Sequence, residues 1–549
     1  MNNKNNIKLI IVSLSGVMLF SSGCTKLDQN LNSTLTRGQT TTALGASGTQ
    51  LLLQTAYDDL QSTYSDPGNI FSLEEVAADE CVVPTRLGDW DDNGKWRALK
   101  FHTWTSDGVD VIRGQFNSLN KLNFDATNVL SFSPTKQQAA EAKFLRAIAL
   151  YHLLDLYGKF PIRNPGDNLL DAPPVDSGLA AITLIINDLT AALPDLPAVP
   201  ANKAQAGQDA AKFLLMRCYL NKGAFVNRTA PAFDDADMQQ VITLGTQIMG
   251  NGYTYNANFF DNFNNSNSNS SESIFALPNT PGKIGNPQSN IQNRWWAPLH
   301  YNHYTPLNPQ AGWNGFSTVA EFYNTFSITG TTTQTPSDTL LDQRIGGRFY
   351  AGATDKSGVR PGLLIGQQYD ENGVKINDRK GNPLILDPNI DGSLKESGNT
   401  LEDKGIRIVK YVPDYSQGVS TYSAPGNWLI MFRYPDVVLM VAEAKMRQSS
   451  TDNAGALALV NSLRAARGAA ALASMPLVNT GDVYDPTTLL AERGRELYWE
   501  TVRRTDLIRF GVYLNSWAYK PTDDAHYIVF PLPSDAVASN PNLKQNPGY

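Results

Sequence analysis

The sequence predicts a mostly α-helical fold interrupted by one large, loop-rich insertion that carries short strands. Three observations predict it. Apolar residues recur at helical spacing in runs of roughly 12 to 20 residues on both sides of a long middle segment. In that segment, from about Asn251 to Gly426, the helical signal fades, and Gly, Pro, Asp and Asn dominate Thr331 to Asn399. The helical runs also follow one another directly, which is the pattern of stacked helix pairs of the tetratricopeptide kind. No run matches the ~34-residue tetratricopeptide consensus, so spacing carries this reading.

The elements follow in order. Leu51 to Leu60 puts Leu52, Ala56 and Leu60 on one face, and Val109 to Leu122 does the same with Ile112, Phe116 and Leu119. Ala139 to Tyr157 sets Ala140, Phe144, Ala147, Ile148, Tyr151 and Leu154 at helical spacing, stopped by Gly158 and Pro161. Ile182 to Leu193 ends at Pro194, and Gln208 to Asn221 and Met238 to Met249 complete the first group. In the middle, Asn262 to Ser273 is almost all Asn and Ser, an exposed loop, and Gly405 to Val412 reads as a short strand. Helices resume at Leu429 to Met446, Ala454 to Arg467 and Leu489 to Phe510.

The N-terminus has its own signal. Lys4 and Lys8 precede an uncharged run from Leu9 to Phe20, followed by Ser21-Ser22-Gly23-Cys24. A basic start, a short apolar core and small residues make a secretory signal. The run falls short of the roughly 20 apolar residues that span a bilayer. A cysteine at this point predicts a lipoprotein: residues 1–23 as signal peptide, Cys24 acylated, and 24–42 as a polar tether. Ser21 departs from the usual lipobox, where Leu is commonest. Residues 43–549 form the remaining domain, with scaffold at 43–250 and 427–549 and the irregular region at 251–426.

Composition narrows the function. The net charge is -7 with no basic cluster, which excludes a nucleic-acid surface and a polybasic membrane patch. Apart from Cys24, only Cys81 and Cys218 remain, too few for a disulfide framework, and Cys218 sits in an apolar helical pattern as a buried thiol. Five His, with only His300 and His303 close together, do not make a zinc site. No metal and no cofactor are expected. GxSxG, HExxH and P-loop patterns are absent from the sequence.

The C-terminal helices carry a family resemblance. Phe432-Arg433-Tyr434-Pro435-Asp436 through Ala442-Glu443-Ala444, then Glu492-Arg493 through Arg509-Phe510, resemble two helix motifs of the SusD/RagB lipoproteins. Phe530-Pro531-Leu532-Pro533, the tail from Asn540 to Tyr549, and Ala142 to Ala147 with Tyr157-Gly158-Lys159-Phe160-Pro161 match the same family in the same order. The resemblance implies a tetratricopeptide-like helical fold and a lipid-anchored place on the cell surface of the outer membrane of a Bacteroidetes bacterium. It implies a binding protein, not an enzyme, that captures oligosaccharides or, in some branches, peptides. Its partner would be a SusC-like TonB-dependent transporter.

Two segments are candidate ligand contacts. Pro84 to Arg97 is rich in Gly and Asp, yet holds Trp90, Trp96, Arg86, Asp89 and Asn93. An indole in a loop packs on the C–H face of a sugar, and Asp, Asn and Arg bind its hydroxyls. The resemblance implies sugar-stacking aromatics near this part of the chain. The competing reading is packing that anchors the loop. Asp89, Asp91 and Asn93 also fit the first half of a calcium loop, but Lys100 stands where a bidentate Glu is required, so a complete EF-hand is excluded. The second segment holds Trp295, Trp296, Tyr301 and Tyr304, with Trp313 following, as a flat carbohydrate platform or as core packing of the loops.

The charges of the last helix, Glu492, Arg493, Glu496, Glu500, Arg503, Arg504, Asp506 and Arg509, stand at i,i+3 and i,i+4 spacing and predict a structural salt-bridge network of stabilising pairs, with a ligand site as the competing reading. Glu443 in an apolar helix requires a partner, Arg433 or a C-terminal Arg. Two further function classes stay open at this point. One is a lipid-anchored glycoside hydrolase, for which Asp91 with Asp92 is the least poor carboxylate pair. The other is a purely structural protein of the outer membrane.

Overall fold

Helix boundaries follow local capping chemistry. Thr135 caps the helix Lys136–Tyr157: its hydroxyl accepts the Gln138 N–H at 3.2 Å, and the Gln138 side chain accepts the Thr135 N–H at 3.0 Å. This reciprocal box satisfies two otherwise orphaned donors. Gly158 ends the helix at φ +74°, a conformation that costs glycine nothing. Asp234 and Thr488 cap later helices through their side-chain oxygens alone, without the reciprocal bond.

The computed structural model describes residues 37–86, 88–283, 291–303, 312–326, 342–346, 361–370, 374–390, 392–396, 401–411 and 425–549. The chain divides into two units, Met1–Gly45 and Ala46–Tyr549. A helical stretch, α1 (Arg37–Ser65), is broken at Gly45, where φ is +52°. The larger unit continues with α2 (Lys95–Lys100), α3 (Asp110–Val129), α4 (Lys136–Tyr157), α5 (Gly178–Ala192), α6 (Gln208–Val226) and α7 (Asp235–Met249). Short helices α8 (Asn293–Trp296) and α9 (Ala320–Asn324) lie in the middle of the chain. The fold then returns to α10 (Tyr434–Arg447), α11 (Asn453–Ala466), α12 (Leu489–Leu497) and α13 (Arg503–Arg509).

From α3 to α7 each helix packs on the next, α10 packs on α7, and α11 on α10. The chain thus closes a run of consecutively packed helices with its C-terminal helices, in the tetratricopeptide manner that the spacing predicts. Gly245 lets α7 and α10 approach closely, since a Cβ there would lie 2.2 Å from Val441 Cγ2. The apolar stripes named above form the interior: Ala56, Leu60, Ile112, Leu119, Phe144, Ile148, Leu154, Ile182 and Leu189 are all buried. Each large side chain of this kind contributes about 1.5–3 kcal/mol when removed from water.

Short strands occur in pairs, in the scaffold as well as in the insertion. In chain order they are β1 (Lys159–Pro161), β2 (Val175–Ser177), β3 (Ser273–Leu277), β4 (Gly362–Leu364), β5 (Gly366–Gln367), β6 (Ile385–Leu386), β7 (Arg407–Val409) and β8 (Leu429–Arg433). They form four antiparallel pairs: β1–β2, β3–β8, β4–β7 and β5–β6.

Four expectations need correction. Asn262 to Ser273 is not an exposed loop throughout: Asn262, Asn267 and Ser270 are buried, and Ser273 opens β3. Leu429 to Arg433 is a strand paired with β3, and the helix starts only at Tyr434, where Pro435 occupies its first turn. The segment Leu489 to Phe510 is two helices, broken where Trp499 and Thr501 take φ of +59° and +61°. The charges of this region do form a structural network, but not chiefly as pairs along one helix. Arg495–Glu492 and Arg509–Asp506 are, but Glu496 binds Arg433 and Arg467 from other elements at 2.5 and 2.8 Å and Arg344 of the insertion at 3.1 Å. Arg503 pairs with Asp79 at 2.6 Å and Arg504 with Asp155 at 3.3 Å. Glu443 finds its partner in Arg509, at 2.7 Å, and in Arg447. All these groups except Arg447 lie in the interior. Taking one partner from such a pair costs about 3–5 kcal/mol, because the other charge stays buried.

Candidate functional site

The loop before α2 is wound in an unusual backbone. Gly88, Trp90, Asp92, Asn93 and Gly94 all take positive φ, from +40° to +85°. A tryptophan held there is a real outlier, worth on the order of 1–3 kcal/mol of strain. It persists because its surroundings fix it. The backbones of Arg86 and Asp89 exchange two hydrogen bonds of 2.9 Å, which close the turn. The Trp90 indole N–H donates to the Trp313 carbonyl at 2.7 Å, and its ring meets Phe316 edge-on, centroids 5.4 Å apart. Gly315 makes room for that ring: a Cβ there would sit 2.3 Å from Trp90 Cε2.

The rest of the loop divides into bolts and open groups. Trp96, on α2, is 4% exposed, its ring packed on Phe316 and its N–H on Asp92 at 2.6 Å. The expectation of an exposed Trp96 fails because α2 turns it inward beneath Trp90. Arg86 is fully buried and donates to the Leu401 and Lys404 carbonyls and to the Ser317 hydroxyl. It ties the loop to the insertion. Asp91 pairs with Arg97 at 2.9 Å, whereas Asp89 and Asn93 are exposed.

The second segment meets the first. The Tyr301 hydroxyl donates to Asp89 at 2.6 Å. Burial and then the Asp89 carboxylate push this phenol upward, so it keeps its proton at neutral pH. The Arg379 guanidinium stacks over the Tyr301 ring, 3.9 Å from its centroid, and pairs with Glu402 at 3.3 Å. Asn302 donates to the Asn377 carbonyl at 2.7 Å. Trp295 and Trp296, on α8, are 0% and 2% exposed and lie inside the core. A helix there turns both rings away from solvent, so neither forms an open platform. Trp313 is 37% exposed and rests on Trp296, centroids 5.6 Å apart. Tyr304 and Cys24 lie outside the described residues.

The result is one shallow face. Trp313, Trp90 and Tyr301 supply ring surface, Asp89 and Arg379 contact Tyr301, and Asn302 and the exposed Asn93 neighbour them in the chain. Sequence reasoning brought Asp89, Trp90, Asn93 and Tyr301 to it. It missed Arg379 and Asn377, which lie in a polar stretch with no pattern of its own, and Asn302 was legible only as one polar residue within the aromatic cluster. Trp313 was legible only as one more aromatic near the cluster. His300 and His303 are buried beneath, and burial lowers them to about 4 and about 3, so both are neutral. Among the described residues no three His, Cys, Asp or Glu side chains gather as metal ligands.

Comparison with known proteins gives a consistent result. Residues 259–549 match the SusD family. The chain is 25% identical over 516 residues to the starch-binding protein SusD of Bacteroides thetaiotaomicron, an alignment covering 87% of this chain and 85% of that one. Among solved structures, a laminarin-binding SusD-like protein superposes with a TM-score of 0.66 at 20% identity, over 92% of this chain and 99% of the other. NanU of B. fragilis does so with a TM-score of 0.64 at 18% identity, over 94% and 99%. At such identities the solved structures establish the fold.

Proposed function

This chain belongs to the SusD family, and from that premise we propose that it captures a glycan at a bacterial cell surface on the face of Trp90, Tyr301 and Trp313. The observation that carries this is Trp313, the one exposed tryptophan among the described residues. An indole left 37% open to water, beside a strained Trp90 that is fixed to its backbone, is a costly arrangement that its packing on Trp296 uses only in part. Ring stacking on sugar C–H groups gives it one. Asp89, Asn93, Asn302 and Arg379 then orient the hydroxyls, in bonds that merely replace bonds to water. The starch-binding and laminarin-binding relatives support a glycan as ligand.

In this reading the protein binds and does not catalyse. It is held to the outer membrane by acyl chains on Cys24, since each buried methylene contributes about 0.8 kcal/mol. It passes the glycan to a SusC-like TonB-dependent transporter, which it covers as a lid. A stable lid of that kind buries more than about 2,000 Å² in total. Affinity electrophoresis of the purified protein through gels of starch, laminarin, xylan, galactan and mannan tests the first step. Retardation in at least one gel is expected. Migration unaltered in every gel overturns glycan capture on this face.

A further inference from the structure

A second concavity has a different chemistry and shares no residue with the aromatic face. It encloses about 410 Å³ between α1, the start of α4, the connection that precedes α6 and the chain leaving β3. Its polar wall is Gln54, Tyr57, Asp58 and Gln61 from α1, Glu141 from α4 and Gln205 from the connection. Leu277 and Pro278 line the apolar side. Two other cavities, beside Tyr64 and beside Asn221, measure about 20 and 10 Å³. Those have room for little more than one water each.

The wall is fixed in advance. The Tyr57 phenol donates to Glu141 at 2.7 Å and accepts the Ala206 N–H at 3.1 Å. Gln137 and Gln205 donate to the other Glu141 oxygen at 2.9 and 3.0 Å. Gln54 donates to Asp58 at 2.8 Å and Gln61 to the Pro278 carbonyl at 2.6 Å. Glu141 is thus held by neutral donors, with no cation paired to it among the described residues. Rotamers locked by such bonds lose little entropy when a ligand arrives.

We infer that this cavity is a second saccharide site, which takes a neutral pyranose unit. Amide side chains offer a donor and an acceptor side by side, which is what a vicinal pair of hydroxyls requires. The carboxylates add acceptors, while Leu277, Pro278 and the Tyr57 ring provide a surface for C–H groups. Asp58 and Glu141 outnumber the single lining cation, Lys283, so an acidic sugar is repelled. The volume lies within the range of about 300–1,000 Å³ usual for small-ligand sites. It suits one or two sugar units rather than a long chain. The inference extends the glycan reading to a second place but uses none of the residues of the aromatic face.

Saturation-transfer difference NMR tests it. The probes are methyl α-D-glucopyranoside, methyl β-D-galactopyranoside and methyl α-D-mannopyranoside, added to the purified protein and to three variants. At least one glycoside should give a signal that survives Trp313→Ala and disappears in Ala204→Trp, whose indole fills the cavity that Ala204 lines. Gln54→Leu, which keeps the space but removes an amide, should weaken binding at least tenfold and serves if the Ala204→Trp variant melts early. No signal on the parent overturns the site, as does a signal lost with Trp313→Ala or untouched by both cavity variants. A parent retarded by a polysaccharide gel but silent toward all three glycosides sinks this site alone. A glycoside signal confined to the cavity, without retardation in any gel, sinks the aromatic face alone. Loss of a co-purifying β-barrel from Ala204→Trp, with no glycoside signal, places a protein segment there and overturns the saccharide assignment.

Discussion

Trp90 and Trp313 are joined across 223 residues by one hydrogen bond, the indole N–H of the first donating to the carbonyl of the second at 2.7 Å. The bond makes a single face from two segments that are remote in the chain. One is a wound loop next to a six-residue helix, and the other belongs to the insertion. The strain at Trp90 and the exposure of Trp313 are therefore two parts of one arrangement.

Gly315→Ala should break that arrangement. The added Cβ falls on the Trp90 ring, with no flexible end to yield. Overpacking of this kind costs about 1–3 kcal/mol. Trp90 is expected to leave Phe316, with a changed near-UV circular dichroism spectrum, unchanged far-UV signal and weaker glycan binding. An unaltered near-UV spectrum would show that the ring does not depend on this glycine.

Trp96 and Trp313 should separate cleanly in stability. Trp96→Ala empties a core position and is expected to cost about 3–5 kcal/mol. Trp313→Ala removes a partly exposed ring and should cost well under half of that. Guanidinium unfolding midpoints of the two variants check the order. Equal losses would mean that Trp313 is a packing residue.

Much of the scaffold was legible because its signals are local. The 3.6-residue stripe of Phe144, Ile148 and Leu154, with Thr135 before it and Gly158 after it, needs no distant partner to be read. The break between α12 and α13 was not legible, because distant carboxylates make it. Glu80 accepts the N–H of Trp499 at 3.0 Å, and Glu75 accepts that of Thr501 at 2.6 Å. Those bonds hold two residues at positive φ inside a run that otherwise reads as helix. Leu429 to Phe432 failed for the same kind of reason, since a continuous apolar run fits a buried strand and a helix equally. At the site, the loop composition announced rings and carboxylates but not which rings face water. Trp295 and Trp296 are turned inward by a four-residue helix, and nothing in their spacing reveals that.

The buried charge network should fail in acid. Burial alone would raise the Glu496 carboxyl, but the guanidiniums of Arg467, Arg433 and Arg344 outweigh it and hold the group down at about 2. An unfolded Glu titrates near 4.3. A folded pKa below the unfolded one contributes stability that is complete above the unfolded value and lost as pH falls through the folded one. Stability should therefore decline from about pH 4.5 toward pH 2. Glu496→Gln should be less stable at pH 7 and show a shallower decline. Denaturant midpoints across this range measure it, and an identical slope in the variant would remove Glu496 from the account.

Cys24→Ala should leave the chain without acyl groups. The expected outcome is release of the protein from the membrane fraction into the soluble one. A variant that sediments with membranes in high salt as the parent does would show that lipid is not the anchor.

The most direct test of the central claim is the glycan affinity of Trp313→Ala, by calorimetry against whichever polysaccharide retards the parent. Stacking on one exposed aromatic is worth about 1–3 kcal/mol, by analogy with bases on protein rings. Binding roughly ten- to hundredfold weaker is predicted, since about 1.4 kcal/mol is a factor of ten, with the far-UV spectrum unchanged. Affinity equal to that of the parent would contradict the claim that this face holds the glycan.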